Sequence, residues 1–181
     1  MRRPVEARAL LAEARAGNAS LPGVYEVEAV LLDQEGKDDA ARAAFARAIA
    51  LGSESYYTHY RHASLAWPSG DGGDFAPIVR DLEAAARLSP DYAPAHAWLA
   101  HAQVGTGAVP AAIESARKAV ALAPGQSGNH RALARALAHA GQHAEAMQSV
   151  QRAITLARDD RERADAEELK TWIQSAAVER K

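Results

Sequence analysis

The chain has 181 residues, 48% hydrophobic and 24% charged, which suits one compact domain or one short array of repeats and excludes wholesale disorder. Alanine supplies 45 residues and aromatics only 6%, so an all-helical chain is favoured, alanine being the best helix former and small enough for close helix contact. The formal charge of −2 puts no global attraction behind nucleic-acid or anionic-membrane binding, and zero cysteines exclude a disulfide scaffold, thiolate chemistry and a zinc ribbon.

Segment 1–21 leads the chain. Its stretch from Val5 to Ala16, amphipathic around Leu10 and Leu11, predicts a helix. Two arginines precede it with no continuous apolar run behind them, so it does not read as a signal peptide. No run elsewhere approaches the roughly 20 apolar residues that span a bilayer, so no membrane insertion is expected. On these grounds the chain as given reads as cytoplasmic, or as periplasmic if it was excised from a secreted parent.

Four similar units follow, over 22–55, 56–92, 93–126 and 127–160. Laying Ala93–Gln126 over Ser127–Asp160 gives ten identities in 34 positions, among them His96/His130, Leu99/Leu133, Gly107/Gly141 and Leu122/Leu156 in one register. Ala85 precedes Ala119 by 34 residues and Ala48 precedes Ala85 by 37. The three extra residues fall in the run from Pro68 to Asp74, a loop with a helix breaker at its head.

Each unit predicts helix, short turn, helix. In the third, Pro94 suits a first helical turn, Gly105-Thr106-Gly107 ends that helix, and Pro110 opens a second helix that Pro124 stops. Small residues recur where paired helices must touch: Ala29, Ala63, Ala100 and Ala134 on first helices, Ala41, Ala112 and Ala146 on second ones. Leu32, Phe45, Leu82, Leu99 and Leu133 fill the neighbouring turns. The last segment, 161–181, carries Leu169, Trp172, Ile173 and Ala176 on one stripe, as a helix sealing the final unit would.

These residues resemble the tetratricopeptide repeat (TPR). The likeness rests on the 34-residue helix–turn–helix period, Leu-Ala in the first helix, Gly before the second and the alanines along it, over about 139 residues. It implies an all-α, right-handed superhelical solenoid of about four units over 1–181, with an N-terminal helix and a C-terminal capping helix. The chain departs from the pattern in two ways. The aromatic usual early in the first helix is Tyr25 in the first unit but His59, His96 and His130 in the others, and the closing proline is missing at Ser53 and Arg158.

Chemistry has little foothold. His59, His96 and His130 recur with the units, so repeat packing explains them better than a shared metal. His59 and His62 stand one turn apart, but no Asp, Glu or Cys sits at ligand spacing in the sequence, and HExxH is absent. There is no GxSxG, no P-loop lysine and no motif that calls for a cofactor. Gly70 to Asp74 lacks the ligand count of a calcium loop and reads as a solvated connector. Asp159, Asp160, Asp165, Glu167 and Glu168, interleaved with Arg161, Arg163 and Lys170, read as an exposed, salt-bridged face of the last helix.

The resemblance implies that first helices line a concave groove. Its facing positions fall on Glu26, Val30 and Asp33; on Tyr57, Tyr60, Arg61, Ser64 and Trp67; on Trp98 and His101; and on Arg131, Arg135 and His139. Aromatics and arginines are the types enriched at binding hot spots. Arg131 and Arg135, one turn apart, could together grip a carboxylate or phosphate, or form only a solvated face. Trp98 suits burial between units as well as it suits the groove. The functional expectation is a non-catalytic interaction module, not an enzyme, that holds a peptide or protein segment, including an acidic one, on Tyr57, Tyr60, Arg61, Trp67, Trp98, His101, Arg131 and Arg135. The rival is a self-assembling homo-oligomer or a scaffolding tail of a larger bacterial protein.

Overall fold

The structure, a computed structural model, describes residues 3–68 and 73–179; of the expected Gly-rich connector, residues 69–72 lie outside the described part. All regular structure among the described residues is helical. Helix α1 spans Arg3–Gly17. Four antiparallel pairs follow: α2 (Pro22–Gln34) with α3 (Asp38–Ala50), α4 (Tyr56–Leu65) with α5 (Ala76–Leu88), α6 (Ala93–Gly105) with α7 (Val109–Leu122), and α8 (Ser127–His139) with α9 (His143–Leu156). Helix α10 (Asp160–Glu179) packs on α9. Each second helix also packs on the first helix of the next pair, which winds the pairs into a right-handed solenoid.

The helix boundaries have local causes. Proline occupies the first turn of α2, α5, α6 and α7, where its missing N–H is not needed. The turns inside the third and fourth pairs are the same motif twice. Gly107 and Gly141 adopt φ of 77° and 76°, a left-handed conformation that favours glycine. Gly107 N–H donates to Val104 and Ala108 N–H to Gln103, at 3.0 and 2.8 Å; Gly141 and Gln142 repeat this onto Ala138 and Leu137, at 3.0 and 2.9 Å. Two otherwise orphaned carbonyls are thereby satisfied at each helix end.

Packing follows the register. Ala29, Ala63, Ala100 and Ala134 on the first helices are fully buried, as are Ala48, Ala85, Ala119 and Ala153 on the second. A second core position recurs as Phe45, Leu82, Ala116 and Val150, all buried and larger than alanine in three of the four units. Buried polar side chains fasten neighbouring units: Asn129 Nδ2 donates to the carbonyls of Ala119 and Ala123 at 2.9 and 3.0 Å, and the Ser127 hydroxyl donates to Ala153 at 2.9 Å.

The recurrent histidine belongs to this joint. His59, His96 and His130 each place Nε2 against the carbonyl six residues earlier, on Ser53, Pro90 and Pro124, at 3.3, 2.9 and 2.9 Å. In the second, third and fourth units one imidazole thus satisfies a carbonyl left over just after the preceding second helix.

The ends differ. Helix α1 meets the first pair through ion pairs of Arg8 with Glu35 and Arg15 with Glu28, and through Arg15 over the Tyr25 ring, while Leu10 stays 65% exposed. Helix α10 buries Ala166, Leu169 and Ile173 against α9. Trp172, expected on that sealing stripe, is 42% exposed instead.

Candidate functional site

First helices carry the groove because each follows the second helix of the preceding unit and turns the same face inward. A cavity of about 1100 Å³ opens on this face toward the C-terminal half, bounded by α6, α8 and α10 and by Trp67 just after α4. Of the residues expected there, Trp67, Trp98, His101, Arg131 and Arg135 line it, with His139 beside them. Trp67, Trp98 and Trp172 are all the tryptophans in the chain, and all three line this one cavity.

Trp98 is neither wholly buried nor free. It belongs to a continuous aromatic ladder: Tyr56–Tyr92, Tyr92–Tyr60, Tyr60–Trp98, Trp98–Trp67 and Trp67–Phe75 stand at ring-centroid distances of 4.9, 5.2, 6.4, 4.9 and 5.2 Å, mostly edge to face. The ladder ties α4, α5 and α6 together and holds the two indoles half-buried at the mouth of the cavity. Burial, with Tyr60, Tyr56 and Tyr57 close by, pushes the Tyr92 phenol up to about 12. Tyr60 therefore acts as a brace behind Trp98.

Tyr57 and Arg61 do not line this cavity. Tyr57 stands edge-on to Phe45 at 6.5 Å. Arg61 grips Asp33 with both Nε, at 2.9 Å, and Nη2, and donates to the Ser64 hydroxyl at 3.1 Å. Two side chains expected to face a ligand thus join the first unit to the second. Glu26, another groove position, accepts from the Ser53 hydroxyl.

The basic floor is balanced by α10. Arg131 forms an ion pair with Asp165, and Arg158 faces Glu162 at 3.5 Å while donating to Gln126 at 2.8 Å. The acidic segment read as a solvated face therefore sends Glu162, Asp165 and Glu168 to the cavity wall. Trp172 joins them, its ring 5.1 Å from His139. A signal for these residues existed: continuing the 34-residue register beyond 160 puts Asp165 at the place of Arg131 and Trp172 at that of Trp67, two steps and the 37-residue unit earlier.

His101 is the floor's neutral group. Burial, followed by the charges of Arg135 and Arg131, pushes its imidazole down to about 3. Elsewhere, Asp81 comes from α5 to sit between His59 and His62, with Nδ1 distances of 3.4 and 2.7 Å, a partner that spacing along the chain did not reveal. Burial would raise the Asp81 carboxyl, but the two imidazoles outweigh it and hold it below the usual range. Among the described residues no group of three metal-ligating side chains is arranged to hold an ion. No described helix is long and apolar enough to cross a membrane.

Residues 132–160 match the sequence profile of the tetratricopeptide repeat. No curated protein matches the chain. Among solved structures it is similar to YrrB, titled a TPR protein with an unusual peptide-binding site (16% identity, 90% of this chain and 84% of that one, TM-score 0.72). It is also similar to MamA from Desulfovibrio magneticus RS-1 (22% identity, 87% of each chain, TM-score 0.67). A third likeness is TTC0263, a thermophilic TPR protein of Thermus thermophilus (19% identity, 98% and 97% of the two chains, TM-score 0.60).

Proposed function

We propose that this chain, a tetratricopeptide-repeat solenoid, is a non-catalytic interaction module that takes a peptide or protein segment in its concave groove. One observation carries the reading: all three tryptophans and three arginines converge on a single cavity of about 1100 Å³. Half-exposed indoles and guanidinium groups are the side chains that supply most binding energy at interfaces. In this reading apolar contact with Trp67, Trp98 and Trp172 gives affinity, while Arg131 and Arg135 hold an acidic group. Tyr57 and Arg61 extend the surface only for a ligand long enough to reach the second unit. The peptide-binding site in YrrB's title belongs to a chain of the same fold and lends this reading support.

The convergence of the tryptophans also supplies the assay. Peptides selected from a random dodecapeptide phage library on the immobilised chain are titrated while tryptophan emission is followed. A selected peptide is expected to shift emission in the native chain and to lose affinity for the Arg131→Glu/Arg135→Glu variant. A library that yields no such peptide sinks the reading.

Self-assembly is the second reading, and exposed Leu10, Leu21 and Val27 at the N-terminal end favour it. Light scattering decides: a concentration-dependent dimer supports assembly through that end, and a monomer at all concentrations removes it.

A further inference from the structure

Helix α10 already presents to the groove what an acidic ligand would present. Glu162, Asp165, Glu168 and Trp172 follow one another at helical spacing along its cavity-facing side. Asp165 occupies Arg131, Glu162 occupies Arg158, and Trp172 covers the ring of His139. The helix is held by a different stripe, since Ala166, Leu169 and Ile173 are buried against α9. The apolar stripe therefore seats it, while Glu162 also accepts from the Arg158 backbone N–H at 3.0 Å and steadies its first turn.

We infer that α10 is an internal competitor, and that the partner is an acidic segment whose carboxylate displaces Asp165 from Arg131; this rests on the groove reading above. Three observations favour an acidic over a basic segment. Arg131 meets Asp165 through one nitrogen, which leaves donors of a five-donor guanidinium for a second carboxylate. Arg131 and Arg135 both stand close enough to His101 for their charges to oppose its protonation, so two guanidinium groups meet at one place on the floor. Arg131, Arg135 and Arg158 all line the same cavity, so one segment can reach more than one of them. An apolar or aromatic side chain beside the carboxylate then packs on Trp98 and Trp172.

The competitor sets a threshold, not a lock. The Arg131 and Asp165 side chains are 32% and 44% exposed, and ion pairs that open to water contribute little. Removing the Asp165 charge should therefore tighten an acidic ligand by about two- to fivefold. Removing Arg131, a charge-assisted partner of the ligand itself, should weaken it by roughly tenfold.

The test uses the phage-selected peptides, each labelled with fluorescein and paired with a twin in which every Asp and Glu is replaced by its amide. Anisotropy titrations compare the native chain with Asp165→Asn and Arg131→Gln; Asp165→Ala, with the best helix former in its place, serves as a second variant should Asp165→Asn fold poorly. Acid-bearing peptides, weaker amide twins and tighter binding to Asp165→Asn are the expected results. Equal or weaker binding to Asp165→Asn overturns the inference while the groove reading stands, whereas a selection dominated by basic peptides overturns both. If no peptide moves the tryptophan emission of the native chain, it is the groove reading itself that has failed.

Discussion

Arg131 and Asp165 lie 34 residues apart, one repeat length, and form an ion pair across the groove. Equivalent places on successive first helices thus carry opposite charges. The pair arises because α10 continues the solenoid as a further first helix, so its inward positions fall beside those of α8. It also gives the groove's basic floor an acidic wall from the same chain.

Of the three groove tryptophans, Trp172 is the cleanest probe of binding. It is 42% exposed, and its ring contact is with His139. Trp172→Ala should leave the melting temperature nearly unchanged while lowering affinity for a selected peptide by roughly tenfold. Trp98→Ala removes a rung of the aromatic ladder and should cost both binding and about 2–4 kcal/mol of stability. Circular dichroism melts alongside anisotropy titrations separate the two. Equal loss of stability in both variants would place Trp172 in the core.

His143 opens α9, where the equivalent residues of the two preceding units are Phe75 and Val109. Both of its ring nitrogens are buried with no hydrogen-bond partner. Burying polar atoms unpaired is unfavourable, so His143→Val should stabilise the chain by about 1 kcal/mol. Urea denaturation measures it; a loss of stability would show that the imidazole finds a partner in solution.

His101 makes stability depend on pH. Its folded value is pushed down to about 3, mainly by burial, below the ordinary 6.5 of an exposed histidine. The unfolded chain therefore binds more protons between these values, and stability falls as pH drops from about 6.5 toward 3. The slope from this one group is at most about 1.4 kcal/mol per pH unit. Urea melts at pH 7.5 and 5.0 should show the loss, and His101→Gln should reduce it. An unchanged pH dependence in the variant would assign the effect to other groups.

The architecture was legible in the sequence because repeat packing writes itself at fixed spacing. Ala100 and Ala134, or Gly107 and Gly141, answer to the same neighbours in each unit, so their identities recur. Trp67, Trp98, His101, Arg131 and Arg135 were placed on one inward face by the resemblance to the repeat family, which supplied the facing positions that the register then carried from unit to unit. Register does not report what else reaches that face. Arg61 is drawn to Asp33, Asp81 to two histidines, and α10 brings Asp165 to Arg131, each across 19 to 34 residues of chain.

The sequence by itself therefore determined the period, the helical pairs and the turn glycines. Those are short-range choices that propensity, capping and small-residue contacts enforce within one unit. Only the tertiary structure decided which charges are paired and which indoles stay open to solvent. An ion pair or a cavity wall depends on where distant helices come to rest, and their relative placement is set by the stacking of every unit between them.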